Sequence, residues 1–400
     1  MRTLHRSGEA IPVRLGGWAV LGALGWTLVY ADRAVFGPLL LPIGRHFLVG
    51  PVALGALGSA FFLAYTLLQV PAGLVVDRWS PRILLAGSFV VFGGAIGLGA
   101  VAPSFTWLLL LLVVAGAGQA VYFPAQYAAT ARAVRGHSRD LTTAVTNGGM
   151  GLGVAVGFGV AAWPAAIRHW QVLLGGAGLL TMLAAALFWR AAPTRVSTQA
   201  SPARRAVPWS SDLWLLCAVN FGSLFGFFFM LTWLPYYLET VARLSGGALA
   251  LASALSPLVA APAGVVWVRL IKEGRLFAIR AFLPVAALSL LAVPLIRSAG
   301  LLLLPLVVYG LTGKLATDPL ILGEATRRLP AHGLGAGLGV LNFSGMLASV
   351  VAPFVAGLFA QGGRLALGFD LAAALLGVSL LASLVLAPLR GQGEAGLGVN

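Results

Sequence analysis

The chain has 400 residues, of which 59% are hydrophobic and only 9% charged, with a mean hydropathy of +0.94. A water-soluble surface carries roughly 25% charged residues, so this composition excludes a soluble domain and implies an integral membrane protein. The net charge of +15 does not mark a nucleic-acid binder, because the basic residues collect in short segments between apolar runs, as the positive-inside rule requires.

A membrane-crossing helix takes about 20 apolar residues. Twelve runs of that kind are present: 16–41, 51–75, 83–102, 105–130, 141–163, 170–190, 212–238, 246–268, 277–296, 300–324, 335–360 and 366–388. They are continuous rather than alternating, which predicts helices and not barrel strands. The basic segment before the first run is expected to be a cytoplasmic lead, since the run is too long for a signal-peptide core.

The first run holds Asp32 and Arg33 in otherwise apolar sequence. A charge near the bilayer centre costs from ~2.5 to more than ~10 kcal/mol, so a helix that keeps two marks a functional site. Neighbouring residues on a helix point about 100° apart, so one of the pair is expected to face a central path and the other a neighbouring helix. Tyr30, Arg33 and Gly37 share the face expected to line the path. Arg33 suits a carboxylate or phosphate; Asp32 either carries a coupling proton or compensates Arg33.

Further polar residues stand at cavity depth: Tyr65 and Gln69 in the second run, Gln119, Tyr122 and Gln126 in the fourth, Asn147 in the fifth, Asn220 in the seventh, Tyr309 in the tenth and Asn342 in the eleventh. Gln119, Tyr122 and Gln126 recur at helical spacing; each such residue is either path-lining or interhelical glue. The fifth run carries six glycines between Gly148 and Gly159, which permits close helix contact. Segment 191–211 is rich in Pro, Ser, Ala and Arg and reads as a linker.

In the tenth run Lys314 is one of two lysines against 24 arginines. It is a compact charge that burial readily perturbs, and it lies four residues before Asp318, within pairing distance on a helix. Asp318 can be released to take a proton when an anion arrives, or the two form a static pair. Glu324 and Asp370 lie near span ends, where a solvated role suffices.

The linker divides the chain into a six-helix half (1–190) and a second one (212–400), and the halves look related. Gly73 to Arg78 follows the second run as Gly264 to Arg269 follows the eighth; Asn147-Gly-Gly-Met resembles Asn342-Phe-Ser-Gly-Met. With the N-terminus inside, 19 basic residues fall on the cytoplasmic side and 5 outside, which places both termini in the cytoplasm.

Gly73-Leu-Val-Val-Asp77-Arg78-Trp-Ser-Pro-Arg82 resembles the loop between helices 2 and 3 of the major facilitator superfamily, G-x-x-x-D-R-x-G-R-R/K, with Ser80 and Pro81 departing from it. The resemblance implies a twelve-helix, all-α membrane fold of two six-helix repeats, with Gly73, Asp77, Arg78 and Arg82 as a conformational latch in which Arg78 pairs across the halves. A narrower resemblance is to the anion:cation symporter family, carriers of organic anions such as sugar acids. It rests on Tyr30-Ala-Asp32-Arg33, on Gly116-Ala-Gly-Gln119-Ala-Val-Tyr-Phe-Pro124 with Val134-Arg-Gly136, and on Trp233-Leu-Pro-Tyr-Tyr-Leu238. That family's fourth-helix acid is Gln119 here, and its Arg in the same helix is Leu112. Monocarboxylate and oxalate-type carriers are equally near.

The function expected is a proton-coupled symporter of a small organic anion, a carboxylate, working as a monomer in the cytoplasmic membrane. Arg33, Lys314, Tyr30, Tyr65, Gln119, Tyr122, Asn220 and Tyr309 would bind the anion, and Asp32 and Asp318 would carry the proton. Efflux of drugs or amphipathic compounds by proton antiport is the alternative. All five histidines, His5, His46, His137, His169 and His332, fall near loops, so neither a metal cluster nor a histidine proton relay is visible, and no cofactor is expected. No nucleophile–base motif or phosphate loop stands out, which argues against an enzyme.

Overall fold

In the computed structural model, residues 15–76, 78–133, 137–192, 209–271, 273–330 and 334–387 are described. They form sixteen α-helices: α1 (Leu15–Ala34), α2 (Phe36–Phe47), α3 (Pro51–Val76), α4 (Pro81–Leu98), α5 (Phe105–Ala120), α6 (Tyr122–Ala133), α7 (His137–Ala161), the short α8 (Pro164–Arg168), α9 (Trp170–Ala191), α10 (Ser211–Thr240), α11 (Gly246–Leu270), α12 (Arg275–Ala292), α13 (Ala299–Thr312), α14 (Lys314–Arg328), α15 (Leu334–Gln361) and α16 (Ala366–Val385). Eleven helical stretches are long and apolar enough to cross a membrane, and α7 adds the shorter apolar stretch Gly148–Ala161. This is the twelve-span, all-α membrane architecture, in which hydrocarbon leaves the backbone only its own helical partners. Large side chains such as Leu67, Leu183 and Leu384 face outward, as a lipid-solvated surface requires.

Six spans precede the linker and six follow it. In the first group α1 packs on α7, α4 on α9 and α3 on α5; in the second α10 packs on α15 and α16, and α12 on α16. The groups meet along three seams: α3 with α15, α7 with α11, and α2 with α10. Ser59 donates to the carbonyl of Val350 at 2.6 Å, and Asn342 Nδ2 to Gln69 Oε1 at 2.8 Å. Gly151 brings α7 against Pro257 and Ala261, and Gly37 brings α2 against Leu231 and Pro235. The α2–α10 seam closes the end of the central space farther from the linker. Among the described residues no comparably packed pair joins α6 to α14 at the linker end.

Three spans are interrupted halfway, two of them because of proline. Proline has no N–H for the carbonyl four residues back and its ring crowds that carbonyl. Pro38 acts on Ala34, where α1 stops, and Pro124 on Ala120, where α5 stops. The third break, between α13 and α14, falls at Gly313, whose backbone is extended (φ −76°, ψ −175°).

Candidate functional site

Three polar or charged side chains, Arg33, Gln119 and Lys314, sit at these breaks. Arg33 lies one residue before the end of α1, Gln119 one before the end of α5, and Lys314 is the first residue of α14. Interrupted helices in a membrane are tolerated where the freed backbone lines a cavity, so the breaks and the charges point to the same place.

Arg33 is buried, 9% exposed. Its Nε donates to Gln119 Oε1 at 2.7 Å and its Nη2 to the same oxygen. The guanidinium carbon stands 4.9 Å from the ring centres of Tyr30 and Tyr65, 5.3 Å from Phe62 and 5.5 Å from Phe61. Among the described residues no carboxylate lies within ion-pair range of it. Its charge is therefore met by one amide oxygen, by the Tyr30 hydroxyl within hydrogen-bonding reach and by four ring faces, each ring contributing about 0.5–2 kcal/mol. Gln119 occupies the Nε edge of the fork; the Nη1 end remains available to a further acceptor.

Asp32 turns to another helix. Its Oδ2 accepts from Thr181 Oγ1 of α9 at 2.7 Å, and the residue is 3% exposed. Both Asp32 and Arg33 nevertheless border one cavity between the halves. Phe36, Leu40, Phe61 and Phe62 wall it from the first half, and Leu231 and Thr232 of α10 from the second.

Lys314 donates to the Asp318 carboxylate and, at 3.0 Å, to Asn220 Oδ1; Asn220 Nδ2 donates to the Leu341 carbonyl at 2.8 Å. Lys314 is buried, while the Asp318 side chain is 43% exposed. Lys314 borders a second cavity, shared with Tyr309, Phe227, Ser253 and Ser256. Arg33 and Lys314 thus face different cavities, and Leu231 is common to both walls. Tyr30 stands at the boundary. Its ring is 6.3 Å from that of Phe227, and it lies in electrostatic range of both Arg33 and Asp318.

Of the residues expected at the path, Tyr30, Tyr65 and Gln119 surround Arg33, Asn220 holds Lys314, and Tyr309 lines the second cavity. Tyr122 does not join them. It is 1% exposed and packs inside the first half against Trp26, Phe89 and Phe188, with Gly25 at its hydroxyl. Gln126 is buried beside Gly22 and Thr146 of the same half. The cause is the break at Val121: residues beyond it no longer continue the face that Gln119 presents. Gln69 and Asn342 bond each other across a seam. The side chain of Asn147 lies outside the described residues.

Of the expected latch, Gly73 falls in α3 and Asp77 lies outside the described residues. Arg78 is exposed, and among the described residues it has no ion-pair partner across the halves. Arg82 stays within its own half, its Nε 3.4 Å from the Ala192 carbonyl and its guanidinium over the Trp189 ring.

Sequence reasoning missed three groups. Phe61 and Phe62 complete the ring cluster around Arg33; with Tyr65 they stand at helical spacing, a signal that was available. Thr181, the partner of Asp32, gives none, because a lone Thr in an apolar helix is ordinary. Glu324, expected at a solvated end, is 3% exposed and paired with Arg328, which also binds Asp212.

The sequence model of the Major Facilitator Superfamily matches residues 22–353. A probable sulfoacetate transporter of Cupriavidus necator is 28% identical to the chain, covering 92% of each. A probable chloroplastic anion transporter of Oryza sativa subsp. japonica is 26% identical over 56% of this chain and 42% of its own length. Among solved structures, a bacterial homologue of the human lysosomal transporter Spinster, inward-facing and occupied, superposes with a TM-score of 0.81 at 16% identity, covering 94% of this chain and 97% of that one.

Proposed function

The chain belongs to the major facilitator superfamily, whose members are transporters and not enzymes, and from that premise we propose that it is a secondary active carrier of a small organic anion. The observation that carries this reading is Arg33: a buried guanidinium with, among the described residues, no carboxylate in ion-pair range, one end free, on a cavity between the two halves. A desolvated cation without a counter-ion is costly, and an incoming carboxylate supplies the missing charge in bidentate geometry. The anion transporters among its relatives support the same substrate class.

Asp32 supplies the coupling. Ionised, it offsets the charge of Arg33 across the shared cavity; protonated, it leaves Arg33 as the cavity's single charge. Anion and proton therefore favour each other's binding, and symport down the proton gradient follows. Asp318 plays the corresponding part beside Lys314, which it neutralises in this conformation. The halves, 1–190 and 212–400 with linker 191–211, rock about the midplane cavities. Closure at α2–α10 corresponds to the state open toward the linker, which the basic-residue asymmetry assigns to the cytoplasm of a cell-membrane protein. Arg78 and Arg82 with Asp77 serve as the latch in the alternate state. The unit of function is the monomer.

The test is counterflow of radiolabelled carboxylates in proteoliposomes, with and without an inward proton gradient. Uptake that depends on Arg33 and concentrates with the gradient is expected. Uptake indifferent to pH removes the symport mechanism, and uptake unaffected by Arg33→Gln removes the anion site.

A further inference from the structure

We propose that the anion bound at Arg33 is a monocarboxylate with a short apolar body, such as an alkanoate or arylalkanoate, and neither a polyhydroxylated acid nor a dianion. This rests on the anion reading above and narrows it.

The first argument is the wall. Of the fourteen residues bordering the Arg33 cavity, only Asp32, Arg33 and Thr232 bear polar side chains. A carboxylate can occupy the free end of the guanidinium; the Gln119 amide and the Tyr30 and Tyr65 hydroxyls stand around Arg33 but are not among the residues bordering this cavity, so on its wall the hydroxyls of a sugar acid find little besides Thr232, and a buried hydroxyl left unpaired opposes binding. An apolar body instead finds Phe61 and Phe62, which touch the guanidinium and also border the cavity.

The second argument is charge count. Gln119 holds one edge of Arg33, so one end serves one anionic group. Lys314, a buried cation in the second half's cavity lining, borders the second cavity and is already held by Asp318 and Asn220. A second anionic group in the Arg33 cavity meets Asp32, a like charge when ionised, and, among the described residues that border it, no second cation.

Hexanoate, D-gluconate, adipate and 1-hexanol have the same chain length and separate these features. Each is titrated against the full chain in lipid nanodiscs, and the shift of the thermal unfolding midpoint is read, since a ligand of the folded state raises it by mass action. Hexanoate is expected to half-saturate at least about tenfold below gluconate and adipate, the scale on which unpaired polar groups discriminate. Hexanol is expected to give no shift, and Arg33→Gln to lose the hexanoate shift. Gluconate or adipate matching hexanoate while still requiring Arg33 overturns the apolar monoanion and leaves the anion site standing. Hexanol matching hexanoate, or a hexanoate shift that survives Arg33→Gln, overturns the anion site itself. No shift from any of the three acids also overturns the proposal. The comparison among acids is made on the unaltered chain, so a variant that fails to fold does not decide it.

Discussion

Arg33 Nε and Gln119 Oε1 are 2.7 Å apart, so a buried cation of the first half that reaches the cavity is held by a neutral amide where a carboxylate would fit. An amide orients the fork without cancelling its charge. Gln119→Glu places an anion in the same position and competes with the transported one. The half-saturating concentration in counterflow is expected to rise about tenfold or more, equivalent to ~1.4 kcal/mol. Gln119→Ala removes only the orienting bond and is expected to change it by no more than about threefold, in keeping with a net hydrogen-bond contribution near 1 kcal/mol. Equal effects from the two substitutions would exclude charge competition.

Asp32 and Arg33 are adjacent in sequence but bonded to different helices, α9 and α5. Asp32→Asn keeps an oxygen for Thr181 and removes the titrating group. In the unaltered chain, protonating Asp32 takes away a negative charge that opposes an incoming anion, so anion binding strengthens as pH falls. In Asp32→Asn counterflow is expected to persist with that pH dependence flattened, because the linked proton is gone, while accumulation driven by a pH gradient is lost. Gradient-driven accumulation that survives the substitution assigns the proton elsewhere, with Asp318 the next to examine.

The spans were largely legible in the sequence because hydrocarbon imposes the strongest constraint on it: the run 212–238 became Ser211–Thr240, and 366–388 became Ala366–Val385. Arg33 was legible for the same reason, as a charge with no cheap place in lipid, and the Lys314–Asp318 pair from its i, i+4 spacing. What was not legible depends on how helices face one another. Helical spacing put Gln119, Tyr122 and Gln126 on one side, but Pro124 breaks the helix between them, and only Gln119 reaches Arg33. The separation of Arg33 from Lys314 was also hidden, because it is set by where Leu231 of α10 stands when α2 closes on it.

The helix that carries Asp32 and Arg33 is held by a stripe of small residues. Gly149, Gly153 and Gly157 of α7 lie on the carbonyls of Ala23, Thr27 and Ala31 of α1, four residues apart on both helices, and a Cβ at any of them would overlap the carbonyl it faces. Backbones packed this closely depend on the missing side chain. Gly153→Leu is expected to destabilise the chain by about 1–3 kcal/mol, as overpacking does, and to weaken anion binding because α1 shifts. Gly159→Ala, where a Cβ meets nothing within 4 Å, is expected to be neutral or slightly stabilising. Thermal unfolding in detergent separates the two; similar losses at both positions would mean that helix propensity, not the seam with α1, sets the requirement for glycine.

At the linker end of the second half, Arg328 closes α14 and gathers two acids. Its Nη1 is 3.0 Å from Asp212 Oδ2 in the first turn of α10, and its Nε and Nη2 are 2.7 Å from Glu324 Oε1. Nη2 also reaches the Ala387 carbonyl at 2.7 Å, beyond α16. An acid at a helix start and a cation at a helix end each favour the backbone dipoles, but burial decides the energetics here. The Arg328 and Glu324 side chains are 1% and 4% exposed, against 38% for Asp212. Removing the cation strands Glu324, and breaking a buried pair in this way costs about 3–5 kcal/mol. Arg328→Met is therefore expected to lower the unfolding midpoint by several degrees. Glu324→Met combined with Arg328→Met leaves no stranded charge in the interior and is expected to recover most of the loss, since replacing a whole buried pair by apolar groups is often neutral. Asp212→Asn alone is expected to cost under about 1 kcal/mol, as for a partly solvated pair. A double variant no more stable than Arg328→Met would show that Arg328 acts through the Ala387 carbonyl, tying α14 to the end of α16, and not through Glu324.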